Sequence, residues 1–77
     1  MKLVDAIIYR LRTIMAERSI TPYYFHKEGG IAKSTISQVF NGKQQNISMN
    51  LLYEFISTLN LSLKEFFDDP IFDNVTD

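Results

Sequence analysis

Apolar residues in this chain recur at steps of three and four, and that period decides its fold class. Val4, Ile7, Ile8, Leu11, Ile14 and Met15 make one stripe near the N-terminus, with Asp5, Arg12 and Glu17 off it. This spacing puts side chains on one face of a helix, and an apolar face must be buried against other elements. The predicted first helix covers residues 2–18. A later stripe, Leu52, Phe55, Ile56 and Leu59, has the same period.

Between these stripes the chain is punctuated. Thr21-Pro22 opens a second helix, because a threonine oxygen can accept a bond from a first-turn amide and proline suits the first helical position. Tyr23 to Glu28 follow, with Phe25 as the core residue. Gly29-Gly30 stop the helix, since glycine takes the left-handed conformation without strain. A third helix runs from residue 32 or 33 to Asn41, with Ile36, Val39 and Phe40 facing inward. Asn41-Gly42 is read as the end of that helix rather than a hairpin turn, because no alternating pattern flanks it. A polar loop, 43–47, leads to Ser48, which can cap the fourth helix, and Asn60 ends that helix. Ser62 with Glu65 is a capping-box pattern for a fifth helix over 63–68, and Pro70 prevents its continuation. The expected architecture is all-α: a compact five-helix domain over residues 1–69, then a short acidic tail, 70–77, able to contribute to dimerisation.

Composition narrows the function classes. The chain has 77 residues, enough for one domain. It has no cysteine and one histidine, His26, so neither a disulfide framework nor a thiolate metal site is available, and His26 cannot build a zinc site without partners. No cofactor or metal is expected. No stretch approaches the roughly 20 apolar residues of a membrane span. The opening MKLVDAIIYRLR is interrupted by an acid and two arginines, unlike a signal peptide. A cytoplasmic protein without a membrane partner is expected. No nucleophile–base pair, carboxylate dyad or phosphate loop is apparent, which speaks against an enzyme. Net charge is −1, but it is unevenly spread. Residues 1–60 hold seven bases and four acids, net +3; residues 61–77 hold one base and five acids, net −4. Asp68, Asp69, Asp73 and Asp77 lack calcium-loop spacing and read as a solvated tail.

The second helix, the glycine turn and the third helix make the informative unit. Two helices joined this way cross steeply, and the second can lie in the major groove of DNA. A reading helix needs an apolar inner face and an outer face of hydrogen-bonding groups, because each base pair shows a distinct donor and acceptor pattern in that groove. Lys33, Ser34, Ser37, Gln38 and Asn41 share the outer face. Gln38 suits adenine and Lys33 suits guanine, while Asn41 and Lys43 suit phosphate. Polar outer faces are common on solvated helices, so the glycine turn and the surrounding helices carry much of this reading.

The stretch GGIAKSTISQVFNGKQQNISMNLLYEFISTLNLSLKEFF, residues 29–67, resembles the Cro/C1-type (Xre-type) helix-turn-helix family, related to phage lambda repressor. Shared features are the glycine and aliphatic residue before a polar run, then Thr35-Ile36-Ser37, Asn41-Gly42-Lys43, Leu59 and a final apolar pair. With helices 1 and 2 the likeness covers about 3–68. It implies a lambda repressor-like domain that acts as a sequence-specific transcriptional regulator, of repressor type, as a homodimer on a palindromic double-stranded DNA operator in bacteria or phage. By position, Lys33, Ser34 and Gln38 would read bases. Tyr23, Thr35, Ser37, Asn41, Lys43 and Gln44 would contact or position the backbone, Tyr23 through its amide. Phe67, Ile71 and Phe72 are the candidate dimer residues. Three departures stand out. Pro22 replaces a glutamine that braces the reading helix on phosphate. Met15 and Phe40 replace a buried arginine–glutamate pair and are expected to pack together. His26 replaces a small residue. The competing reading, motivated by the low charge and acidic tail, is an antitoxin-like or anti-regulator module that uses the same fold to hold a protein.

Overall fold

A computed structural model of the chain describes residues 1–41 and 46–77. Among the described residues there are five α-helices: α1 (Leu3–Arg18), α2 (Tyr23–Gly29), α3 (Lys33–Phe40), α4 (Met49–Thr58) and α5 (Leu63–Phe67), followed by a 3₁₀ turn, Pro70–Asn74. This is the all-α architecture the periodicity requires. The expected helix end at Gly42 and the loop residues Lys43, Gln44 and Gln45 lie outside the described residues.

The inward stripes meet in one core. Ile7, Leu11, Ile14 and Met15 from α1 join Phe25, Ile36, Val39, Phe40, Leu52, Phe55, Ile56, Leu59 and Phe66. Phe25, Phe40 and Phe55 form a triangle at its centre, with ring centroids 4.8 to 6.1 Å apart. Met15 and Phe40 lie in the same cluster. The groups aligned with the Phe40 ring are Phe25, Phe55 and, at 5.2 Å, the Arg12 guanidinium.

Two of the expected caps form. The Ser48 oxygen accepts from the Leu51 amide at 3.1 Å. Ser62 and Glu65 make the reciprocal box, with bonds of 2.9 and 3.0 Å. The backbone and side-chain bonds to Ser62, aided by the Arg18 charge, hold the Glu65 carboxyl below its ordinary range. The Thr21 cap does not form. Pro22 already has helical dihedrals, and no side chain caps α2. The amides of Tyr24 and Phe25 instead reach back three residues to the Thr21 and Pro22 carbonyls, a tightened first turn.

The glycine pair divides its work differently from the expectation. Only Gly30 is left-handed, at φ 69°, and it closes α2. Gly29 is still helical, and a Cβ there would overlap the Thr58 hydroxyl of α4. That hydroxyl is fixed by donating to the Glu54 carbonyl at 2.6 Å. Glycine at 29 therefore lets α2 lie close on α4. Two other left-handed corners are filled by residues with side chains, Ser19 (φ 57°) and Asn60 (φ 59°).

The C-terminal segment is solvated only in part: Asp68 and Asp73 are exposed, while two other acids are tied to the fold. Asp69 caps the 3₁₀ turn through the Ile71 amide at 2.8 Å and pairs with Arg10 at 3.2 Å. Asp77 accepts from the Leu3 amide at 3.0 Å, so a carboxylate from the far end of the chain caps α1, whose own flanking residue, Lys2, supplies no side-chain cap. The Met1 amine donates to the Asn74 carbonyl at 2.8 Å. The acids at 69 and 77 thus serve the fold, where sequence spacing suggested only solvation.

Arg10, Arg12 and Arg18 project from α1 to the C-terminal ends of three other helices. Arg10 donates to the Glu65 and Phe66 carbonyls of α5 at 3.1 and 2.8 Å. Arg12 donates to the Phe40 carbonyl of α3. Arg18 donates to the Leu59 carbonyl just after α4 at 2.6 Å. The last carbonyls of a helix lack intrahelical donors and carry a partial negative charge, so a guanidinium there answers both needs.

Replacing Ser19 or Asn60 by glycine should raise stability in urea unfolding by roughly 0.5–1 kcal/mol each, because the side chain resists the left-handed conformation that glycine adopts freely. Glu65 should show a signed pH effect. Its folded-state pKa is depressed, so its contribution is present above the ordinary value of 4.5 and is lost as pH falls through the lower folded-state value. The stability difference between wild type and Glu65→Gln, followed by thermal unfolding, should shrink as pH drops below that value.

Candidate nucleic-acid interface

α3 has eight residues, too few for a stable isolated helix. Its inner side chains, Ile36, Val39 and Phe40, are buried in the core. That leaves Lys33, Ser34, Ser37, Gln38 and Asn41 exposed, with Thr35 half-buried at the border. At 3.6 residues per turn the five exposed positions cover roughly 140° of circumference, from Lys33 at one edge to Gln38 at the other. All are hydrogen-bonding residues, and none is acidic.

Within this face, the Asn41 amide nitrogen donates to the Ser37 hydroxyl oxygen at 2.7 Å. The Ser37 hydroxyl keeps its own proton for an outside acceptor, and Asn41 keeps its carbonyl. No side chain caps the start of α3 or of α2. First-turn amides that no backbone carbonyl takes up are favourable for anions; in α2 the Tyr24 and Phe25 amides are already bonded to the Thr21 and Pro22 carbonyls. Tyr23, the first residue of α2, is 54 % exposed. Lys43 and Gln44, expected at the backbone-contacting end, lie outside the described residues.

The turn ahead of α3 is built by backbone bonds and by His26. The Gly30 amide bonds the His26 carbonyl at 3.1 Å and the Ile31 amide bonds the Phe25 carbonyl at 3.2 Å. His26 Nδ1 lies 2.8 Å from the Ile31 carbonyl, a bond in which the ring nitrogen donates. His26 is half-buried and serves the turn. Of the adjacent tyrosines, Tyr24 packs against the core and Tyr23 stays outside.

A two-helix unit with a rigid glycine corner, an apolar inner face and an uninterrupted polar outer face is the geometry of a helix-turn-helix. The family described as Cro/C1-type HTH DNA-binding domain matches residues 10–70. This chain belongs to that family. None of the curated proteins and none of the solved structures compared with the chain matches it. The matched span of this Cro/C1-type domain runs from Arg10, on α1, to Pro70, so it takes in α2 and α3 whole, together with the helices that hold them.

Two features of the domain have no signal in the periodicity. The first is how its positive charge is used. Three of the seven bases before residue 61 are Arg10, Arg12 and Arg18, and each is turned onto helix-end carbonyls. The second is the seating of Lys33, whose ammonium sits 5.4 Å from the Tyr23 ring centroid. Arginines on the polar side of a first helix were the available hint for the former; nothing local hints at the latter.

Arg12→Met should lower stability by about 1 kcal/mol, the scale of one part-exposed hydrogen bond. Ser34→Ala and Gln38→Ala should each stay within about 0.5 kcal/mol of wild type, as exposed positions whose side chains make no bond among the described residues do. Denaturant midpoints of the three variants check this.

Proposed function

We propose that this Cro/C1-type domain is a sequence-specific transcriptional regulator, of repressor type, that inserts α3 in the major groove of double-stranded DNA. The observation that carries the reading is the outer face of α3: five exposed hydrogen-bonding residues on a helix whose inner face is locked in the core. Lys33, Ser34 and Gln38 read bases in this account. Lysine matches the paired acceptors of guanine, and glutamine the donor and acceptor of adenine. Tyr23, Thr35, Ser37 and Asn41 position the helix on the backbone, and Lys43 and Gln44 extend that set on the sequence pattern alone.

The weak net charge favours a dimer. One copy neutralises few phosphates, and affinity from counterion release grows with their number. Two copies on a palindromic operator double that term and repeat the reading helix one turn of DNA apart. Phe67, Ile71 and Phe72 remain the candidate contacts. Phe67 also lines an open apolar groove of about 190 Å³ with Leu3, Ile7, Ile47 and Leu52, beside Met49, which is 69 % exposed. Action in the cytoplasm, where the operator would lie, belongs to the same proposal.

Selection of bound duplexes from a random pool tests the reading. A palindromic consensus should emerge, with affinity falling steeply as salt rises. Gln38→Ala should cost about 1–3 kcal/mol on that consensus and relax preference at one position per half-site. Enrichment of no sequence, with salt-independent capture of a protein instead, would favour the protein-holding module.

A further inference from the structure

Tyr23 is exposed, yet its ring is the middle of a chain of contacts spanning the helix-turn-helix. His26 is one neighbour, with ring centroids 5.7 Å apart and planes tilted by 46°. His26 is itself tied to the turn through the Ile31 carbonyl. The Lys33 ammonium lies over the same ring, 5.4 Å from its centroid. Within about 6 Å a cation is attracted to the negative face of an aromatic ring, and the attraction strengthens when water is removed. The ion pair found among the described residues is Arg10–Asp69, so the ring, not a carboxylate, is the group shown facing this lysine.

Lysine pays a large entropy cost when its flexible stem is ordered. A ring that already holds the ammonium lowers that cost at the moment of binding, as preorganisation does generally. The ammonium has three donors, and stacking on a ring face leaves donors free for the guanine acceptors. We infer that Tyr23 is a positioning residue for base reading: its ring holds Lys33 in place at the start of α3 and thereby sharpens the preference at the base pair Lys33 meets. The inference rests on the proposed reading that this face meets DNA. It assigns the work of Tyr23 to its ring, in addition to any phosphate contact by its amide.

Both side chains are exposed, so their variants should fold. In the free protein, the Lys33 side-chain methylene protons should show an upfield ring-current shift that survives in Tyr23→Phe and vanishes in Tyr23→Leu. On the wild-type consensus duplex, Tyr23→Phe should bind within about twofold of wild type, Tyr23→Leu about 3- to 10-fold more weakly, and Lys33→Met at least about tenfold more weakly. The double variant Tyr23→Leu/Lys33→Met should bind no worse than Lys33→Met alone, and both single losses should relax the same base position. Multiplying losses in the double variant, equal losses for Tyr23→Phe and Tyr23→Leu, or absence of the ring-current shift would overturn the positioning role alone. Unchanged binding by Lys33→Met would overturn the Lys33 base-reading assignment along with it.

Discussion

The orientation of α3 depends on the packing of Phe25, Phe40 and Phe55. A helix of eight residues has too few internal bonds to persist alone, so its direction comes from what its inner face is pressed against. The three rings come from α2, α3 and α4, and they meet edge-on and stacked within 6.1 Å. Phe40 is the last residue of α3, so this contact fixes the far end of the helix. The Gly30 corner and the His26 bond to Ile31 fix the near end. With both ends held, the outer face is a rigid row of donors and acceptors, as preorganised recognition requires.

Around that centre, α1 acts as a clamp. Its three arginines close the C-terminal ends of α3, α4 and α5, and its own start is capped by Asp77. Each guanidinium offsets about half a charge of helix-end dipole. The arginines keep their charge, but these hydrogen-bond donors are engaged in the fold. In the proposed reading, the cation at the base-reading face is then Lys33, so its placement matters.

Features encoded by neighbours in sequence were legible beforehand. The stripes of α1, α3 and α4, the Ser48 cap and the Ser62–Glu65 box are all local, and so was the division of α3 into two faces. Features made by distant residues were not. Leu3 and Asp77 lie 74 positions apart, and Arg10 and Asp69 59 apart; periodicity says nothing of which ends will meet. Thr21 looked like a cap, but Pro22 entered the helical conformation and left the hydroxyl no capping role. Gly29 looked like a stop, but its value is closeness to Thr58, visible only once α2 lies on α4. The composition of the α3 face could be read from the chain, while the seating of Lys33 on Tyr23 needed the turn to bring them together.

The central claim is that the outer face of α3 meets the bases. The most direct measurement is amide and side-chain chemical-shift mapping of the labelled protein on titration with its enriched duplex. The largest shifts are expected at Tyr23 and across Lys33 to Asn41, with the Gln38 side-chain amide among them, and small ones along the exposed side of α1 around Tyr9. Shifts confined to the groove between α1 and α4, with the Gln38 amide unmoved at saturation, would contradict it.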